Sequence, residues 1–402
     1  MFQSISLKHT RTDIFLNSES FFLILLLKNS FINKTSYNEQ MKRIVFLDYV
    51  RVTACFLVML VHAGENFYGA AGSTDMAGPQ SLLLNEANRL WVSVYNGSSR
   101  LCVPLFMVVS AYLLTPMRQD QTSWQFYRRR FLRVVPPMLV FMVLYSTLPM
   151  LWGQIDLHTG LTDLARIPFN FPSLAGHLWF MYPLLGLYLF IPVLSPWLRK
   201  CTKGEEQLFI GLFALSTCMP WISRWFGELW GQCFWNQYHM LWYFSGFIGY
   251  LVLAHYIRFH ITWSRARRVA VGLPLLLVGG VWTVLSFYVQ AIPGKLLSTP
   301  VLEIGWAFCT INCVMLTTGA FLLFTCIGNS RPVAIITDLS KMSYGMFLMH
   351  IFWLGLWVGV YKDTLALPTV ACIPAIGATT FVCSYVTTKL ISFIPGSKWV
   401  IG

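Results

Sequence analysis

The sequence predicts an all-α, polytopic membrane protein with about ten transmembrane helices. Composition and pattern both carry that expectation. Hydrophobic residues make up 56% of the 402 residues and charged residues only 11%, against about 25% charge in soluble domains. Apolar windows near bilayer length also recur along the chain, at 44–63, 98–115, 133–152, 177–198, 207–223, 241–257, 269–290, 302–325, 343–361 and 368–391. Each approaches the roughly 20 residues a helix needs to cross the hydrocarbon core.

The first window follows Met41-Lys-Arg and carries Asp48, Arg51 and His62. The second holds Ser110-Ala-Tyr112, and the third opens at Arg133 with Pro136-Pro137 just inside. The fourth begins His177-Leu-Trp179-Phe180. Glu303 stands at the start of the eighth, and the ninth begins Ser343-Tyr344-Gly345 with His350 further along. Asp338 and Glu228 read as loop residues.

Charge placement orients the windows. Loops after the second, fourth, sixth and eighth hold fourteen Lys and Arg, and the opposite loops hold six, among them Arg89 and Arg100. Positive charge marks the cytoplasmic side, so both termini are expected there. The net charge of +13 is then topological, and no nucleic-acid partner is expected. Residues 1–40 are polar and basic, with one apolar run too short to span. They read as a disordered N-terminal extension or a misassigned start, and 41–402 as one transmembrane domain. The ten cysteines form no CxxC and read as small core residues. No metal-ligand cluster and no disulfide framework are expected. Outer loop 224–240, with Trp225, Trp230, Trp235 and Tyr238, reads as an interfacial aromatic belt or a sugar-stacking platform. No internal repeat is visible.

Ionisable groups inside apolar segments are costly and usually carry function. Arg51 and His62 are eleven residues apart, close to three helical turns, so they share one face about 16 Å apart along the axis. Asp48, one turn before Arg51, is placed to orient its guanidinium. A neutral imidazole in His62 is suited to take a proton from a hydroxyl; the alternative is a histidine that holds two helices together. Arg129, Arg130 and Arg133 form one basic helical face. Guanidinium forks there bind either phosphates or lipid head groups, and Pro136 and Pro137 are expected to break or bend the helix.

Taken together, these motifs resemble the acyltransferase 3 family of integral membrane acyltransferases. The matching elements are Asp48-x-x-Arg51-x(10)-His62, Val103-Pro-Leu-Phe106 with Ser110-Ala-Tyr112, and Arg129-Arg130-x-x-Arg133-Val-x-Pro136. They continue with His177-Leu-Trp179-Phe180, Tyr188-Leu-x-x-Pro192, and Ser343-Tyr344-Gly345 followed by His350. Ala111 departs from the glycine common in the family at that place. The likeness is to the bacterial branch that O-acetylates surface polysaccharides, which implies the inner membrane as location.

The resemblance implies that an acyl group, most often acetyl, passes from cytoplasmic acyl-CoA to a hydroxyl of an envelope glycan or glycolipid. Acyl-CoA is then a donor substrate, and no permanently bound cofactor is expected. The family's functional residues carry over to Arg51, His62, Arg130 and Arg133. His62 is expected to act as base, Arg51 braced by Asp48 to line the donor channel, and Arg129, Arg130 and Arg133 to hold the nucleotide phosphates. Ser343 and Tyr344 are further donor-side candidates, and either of them or His350 is a candidate for stabilising an oxyanion. His177, Trp179, Glu303 and His350 are candidates for substrate binding or for structure. The rival function is a transporter or flippase of a lipid-linked sugar, although the paired broken helices of many transporters are not evident.

Overall fold

Apolar segments in a bilayer must satisfy their backbone polar groups internally, and helices do so. All ten apolar windows are helical in the computed structural model, which describes residues 44–68, 86–235, 239–292, 297–328 and 331–402. In chain order the main helices are α1 Phe46–Glu65, α2 Glu86–Ser99, α3 Cys102–Leu114, α4 Ser123–Leu151, α5 Leu157–Arg166 and α6 Met181–Lys200. They continue as α7 Lys203–Phe226, α8 Phe247–His260, α9 Arg265–Tyr288, α10 Ile311–Thr325, α11 Ala334–Val358 and α12 Thr369–Ser392. Among the described residues, nine helical segments are long and apolar enough to cross a membrane. The remaining window, 241–257, forms α8, whose 14 residues reach only about 21 Å at 1.5 Å per residue, short of a bilayer core. Val45–Gly402 cluster as one unit. The expected N-terminal extension, 1–40, and Tyr238 lie outside the described residues.

Several expectations change. The stretch between the first two apolar windows, 64–97, is not all loop: it contains α2, which leads into α3 through a break at Arg100–Leu101. The stretch between the third and fourth windows, 153–176, likewise contains α5. Pro136 and Pro137 do not break α4, which runs 29 residues through both. Its start is fixed upstream by a capping box: the Thr122 hydroxyl accepts from the Gln125 amide while the Gln125 side chain accepts from the Thr122 amide. Thr202 and Glu205 make the same reciprocal pair at the start of α7. Asp338 lies in α11 rather than a loop, where it accepts from Lys389 at 2.8 Å and Tyr385 at 2.6 Å.

Helix α1 is the hub. It packs against α2, α3, α11 and α12, so a helix carrying Asp48, Arg51, His62 and Glu65 is enclosed by neighbours rather than by lipid. The closest pairing elsewhere is α9 with α10. There a Cβ at Gly279 would come within 2.5 Å of the Leu316 amide, and one at Gly319 within 2.4 Å of the Leu276 amide. Only glycine admits that approach, the small-residue packing typical of membrane helices. Arg268 pins the far end of the pair, donating to the Thr325 carbonyl at 2.9 Å.

Candidate active site

The two ends of α1 hold two separate clusters. At the first, Asp48 is buried and its carboxylate accepts from Ser340 at 2.7 Å. Arg51 Nη1 lies 3.8 Å from the same oxygen, so α11 and Asp48 together set the guanidinium's position. Tyr188 of α6 is hydrogen-bonded by Ser110 and interacts electrostatically with Arg51, Arg130 and Arg133. The basic face of α4 and the arginine of α1 therefore converge on one phenol. Arg129 and Arg133 are exposed. Arg130 is half-buried, 5.8 Å from the Phe126 ring, with its Nε unpartnered among the described residues.

Ser343 and Tyr344 belong to this same end. The Ser343 hydroxyl donates to the Ser340 carbonyl at 2.9 Å, and the Tyr344 hydroxyl to the Val134 carbonyl at 2.6 Å. Both hydroxyls are spent on backbone, and His62 is not among their partners. His350 stands two helical turns further along α11, about 10 Å beyond Ser343. Of the three oxyanion candidates, it is the one beside His62.

The second cluster surrounds His62. Its ring centroid is 5.2 Å from that of His350 and 6.5 Å from that of His177, and His177 and His350 are 4.9 Å apart. Helix α1, the 3-10 turn Gly176–Phe180 and α11 thus each bring one imidazole to a single place. His177 Nε2 donates to the Leu348 carbonyl at 3.3 Å, and His350 Nδ1 to the Phe347 carbonyl at 2.6 Å. The remaining nitrogens, His177 Nδ1 and His350 Nε2, are buried without a hydrogen-bond partner. Both rings consequently present bare lone pairs. Among the described residues, no group of His, Cys, Asp and Glu is arranged to hold a metal ion.

His62 differs from its two neighbours because it has a carboxylate. Its Nδ1 is 2.6 Å from Glu65 Oε2, one turn on in the same helix. Glu65 in turn lies 3.9 Å from Arg100 Nη2, which is also 3.9 Å from Glu303 Oε2. Tyr68 donates to the other Glu303 oxygen at 2.5 Å. The order His62–Glu65–Arg100–Glu303–Tyr68 balances one guanidinium against two carboxylates. Arg100 sits over the Trp306 ring at 4.5 Å. Its Nε and Nη2 are buried without a hydrogen bond, because both carboxylates stand beyond bonding distance.

Local structure holds each member. Arg100 occupies the break between α2 and α3, where the chain turns without leaving the interior. Glu303 lies between the short helix Thr299–Leu302 and the turn Ile304–Trp306. That turn is fixed by Trp306, which stacks on Phe287 at 3.9 Å and donates to the Thr283 carbonyl at 3.1 Å. Asn312 secures it further through the Gly305 carbonyl at 2.5 Å. Trp179 stacks on Phe308 at 5.6 Å.

These side chains enclose a cavity of about 250 Å³, lined by His62, Glu65, Arg100, His177, Trp179 and Glu303 with Val103, Phe180, Phe308 and Phe347 among the apolar walls. His62, His177, Trp179 and Glu303 of the expected residues meet here, with His350 against two of them. Asp48, Arg51, Arg129, Arg130, Arg133, Ser343 and Tyr344 gather at the opposite end. Glu65 and Arg100 were missed by the sequence reading. Their signals were a carboxylate at i+3 from His62 and an arginine near the start of the second apolar window.

An Acyltransferase domain family model matches residues 44–389. No curated protein and no solved structure was found to match. The matched region contains both clusters and the cavity between α1, α3 and the His177 turn, and the chain belongs to the acyltransferase 3 family of membrane acyltransferases.

Proposed function

We propose that the protein is an O-acyltransferase that moves an acyl group, acetyl first among the candidates, from cytoplasmic acyl-CoA to a hydroxyl of an envelope glycan. The observation that carries this reading is the His62–Glu65 pair on the wall of a cavity that also holds Arg100. A histidine that gives its Nδ1 proton to a carboxylate offers Nε2 as the base. The acceptor O–H proton moves to His62 Nε2 as the oxygen attacks the thioester carbonyl carbon. The oxyanion that forms is met by the Nε–H and Nη2–H groups of Arg100, which make no hydrogen bond among the described residues. Collapse breaks the C–S bond, and the CoA sulfur leaves with the proton from His62. Glu65 stabilises the imidazolium between those steps. Arg100 and the two carboxylates it balances remain in place throughout.

The donor end is assigned to Arg51, Arg129, Arg130 and Arg133. Guanidinium forks match phosphate oxygens, and the roughly 16 Å of α1 between Arg51 and His62 suits an extended pantetheine arm. The small volume of the cavity, about 250 Å³, favours a short acyl group, since sites for small molecules generally run from about 300 Å³ upwards. With α8 and the turn Trp242–Phe244 before it counted together as a tenth crossing, the charge bias of the loops supports cytoplasmic termini in an inner membrane. Asp48 is a positioning residue for Arg51.

The test uses purified protein in nanodiscs with labelled acetyl-CoA, wild type against His62→Ala. Donor binding by both, with label reaching an envelope glycan fraction only from wild type, is the expected result. Failure of wild type to bind acetyl-CoA, longer acyl-CoAs or charged acyl-CoAs would overturn the reading in favour of sugar transport.

A further inference from the structure

We propose that a second cavity, beside the histidine cluster, binds a neutral pyranose ring of the acceptor; this rests on the acyltransferase reading above. The cavity measures about 480 Å³ and lies among the far ends of α1, α4 and α11. Its walls include Asn66, Tyr145, Trp152, Gln154, Phe352 and Leu356. Among the described residues, no charged side chain lines it, in contrast to the cavity that holds Glu65, Arg100 and Glu303. Aromatic faces with carboxamides and no charge are the chemistry of a neutral polyhydroxylated ring. Its C–H face stacks on an indole, and its hydroxyls exchange hydrogen bonds with amides, which both donate and accept.

Two contacts tie this cavity to the reacting groups. The Asn66 amide donates to the His62 carbonyl at 2.7 Å, so one wall is fixed to the backbone of the proposed base. Tyr145 lines this cavity and His177 lines the other, with ring centroids 5.1 Å apart. A sugar here would thus be separated from the histidine cluster by a single pair of rings. Tyr145 is itself held rigidly, stacked on Phe352 at 4.2 Å and donating to the Leu348 carbonyl at 3.0 Å.

The amides and the indole are also prearranged. Trp152 donates its indole N–H to Gln154 Oε1 at 3.0 Å, which turns the Gln154 amide nitrogen into the free end for a ligand oxygen. Trp152 follows directly on the last residue of the α4 span, and Leu151 and Leu356 beside it are 80% and 51% exposed. The site therefore stands at the edge of the apolar zone, within reach of a glycan in water or of one carried on a lipid.

The test measures label transfer by the full-length protein to two acceptor preparations from the producing cells: lipid-linked glycan extract, and the same glycan after mild-acid release. Trp152→Ala and Gln154→Ala should each raise the half-saturating glycan concentration about tenfold and leave that for acetyl-CoA unchanged. Trp152→Phe, which keeps a stacking face, should stay near wild type. Saturation by the extract alone places the sugar on a lipid, and saturation by both places recognition in the sugar. Unchanged glycan half-saturation in both alanine variants would overturn the site while leaving the acyltransferase reading intact. Wild type that consumes no acyl-CoA would instead overturn that reading, and this site with it.

Discussion

His62 Nδ1 lies 2.6 Å from Glu65 Oε2, one helical turn further along α1. The two neighbouring histidines bond only to backbone carbonyls. Of three imidazoles within 6.5 Å of one another, only His62 is paired with a carboxylate that can stabilise the cation formed when a base takes a proton. Glu65→Gln keeps the size and a hydrogen-bond acceptor but removes the charge. It should lower kcat on the order of 10²-fold, the lower end of what general base catalysis supplies. The half-saturating acyl-CoA concentration should not move. A kcat within threefold of wild type would mean that the carboxylate only packs against the ring.

Arg100 gives a second expectation. It is 5% exposed and faces both Glu65 and Glu303 without a full hydrogen bond to either. Arg100→Lys preserves the positive charge between the carboxylates while replacing the planar fork with a point charge. The fold should persist, and kcat should fall by about 10²-fold, as it does when an oxyanion donor is lost. Arg100→Ala should also lower thermal stability, since it leaves two carboxylates facing each other near the cavity. Full activity in the lysine variant would assign Arg100 to charge balance alone.

These two expectations also mark where the sequence stopped being legible. The apolar windows were readable because a bilayer admits few alternatives to a helix, and Arg51 and His62 stood out as costly residues in the first of them. Arg100 did not stand out. Helix α2 before it contains Glu86, Asn88, Arg89, Ser93, Asn96 and Ser98, so its polarity resembled a loop. Neighbouring α9, α12 and α1 cover it, and only tertiary packing reveals that. The histidine cluster was hidden for the same reason, since its members come from α1, a 3-10 turn and α11. Ser343 and Tyr344 were read correctly onto α11, but their hydroxyls serve the backbone at the arginine end.

A buried acid elsewhere predicts a stability effect separate from activity. Glu206 of α7 is fully buried, with His255 Nδ1 at 2.7 Å and His260 Nε2 at 2.8 Å. Removing the carboxylate leaves the buried His255 N–H without its hydrogen-bond partner, which costs about 1–3 kcal/mol. Glu206→Ala should therefore lower the unfolding temperature of the detergent-solubilised protein markedly. Transfer per folded molecule should be retained at low temperature, because neither histidine touches the His62 cavity. An unchanged unfolding temperature would show that the two histidines bear the loss without penalty.

At the opposite end of α1, the arginines predict a binding effect with its own signature. Arg51, Arg130 and Arg133 all act on Tyr188, so a phosphate bound near that phenol would meet more than one guanidinium. Arg130→Ala and Arg133→Ala should each weaken acyl-CoA binding about tenfold, the scale of a charge-assisted hydrogen bond. Because Arg133 is exposed and Arg130 half-buried, salt should diminish the Arg133 effect more strongly. Dephospho-CoA separates the phosphates. An arginine that holds the ribose 3′-phosphate should show no further loss when that phosphate is absent, whereas one that holds the diphosphate should show the same loss with either ligand. Measured by isothermal titration in nanodiscs, equal affinity of wild type and both variants for acyl-CoA would return the α4 arginines to contact with lipid head groups, and the donor would have to enter elsewhere.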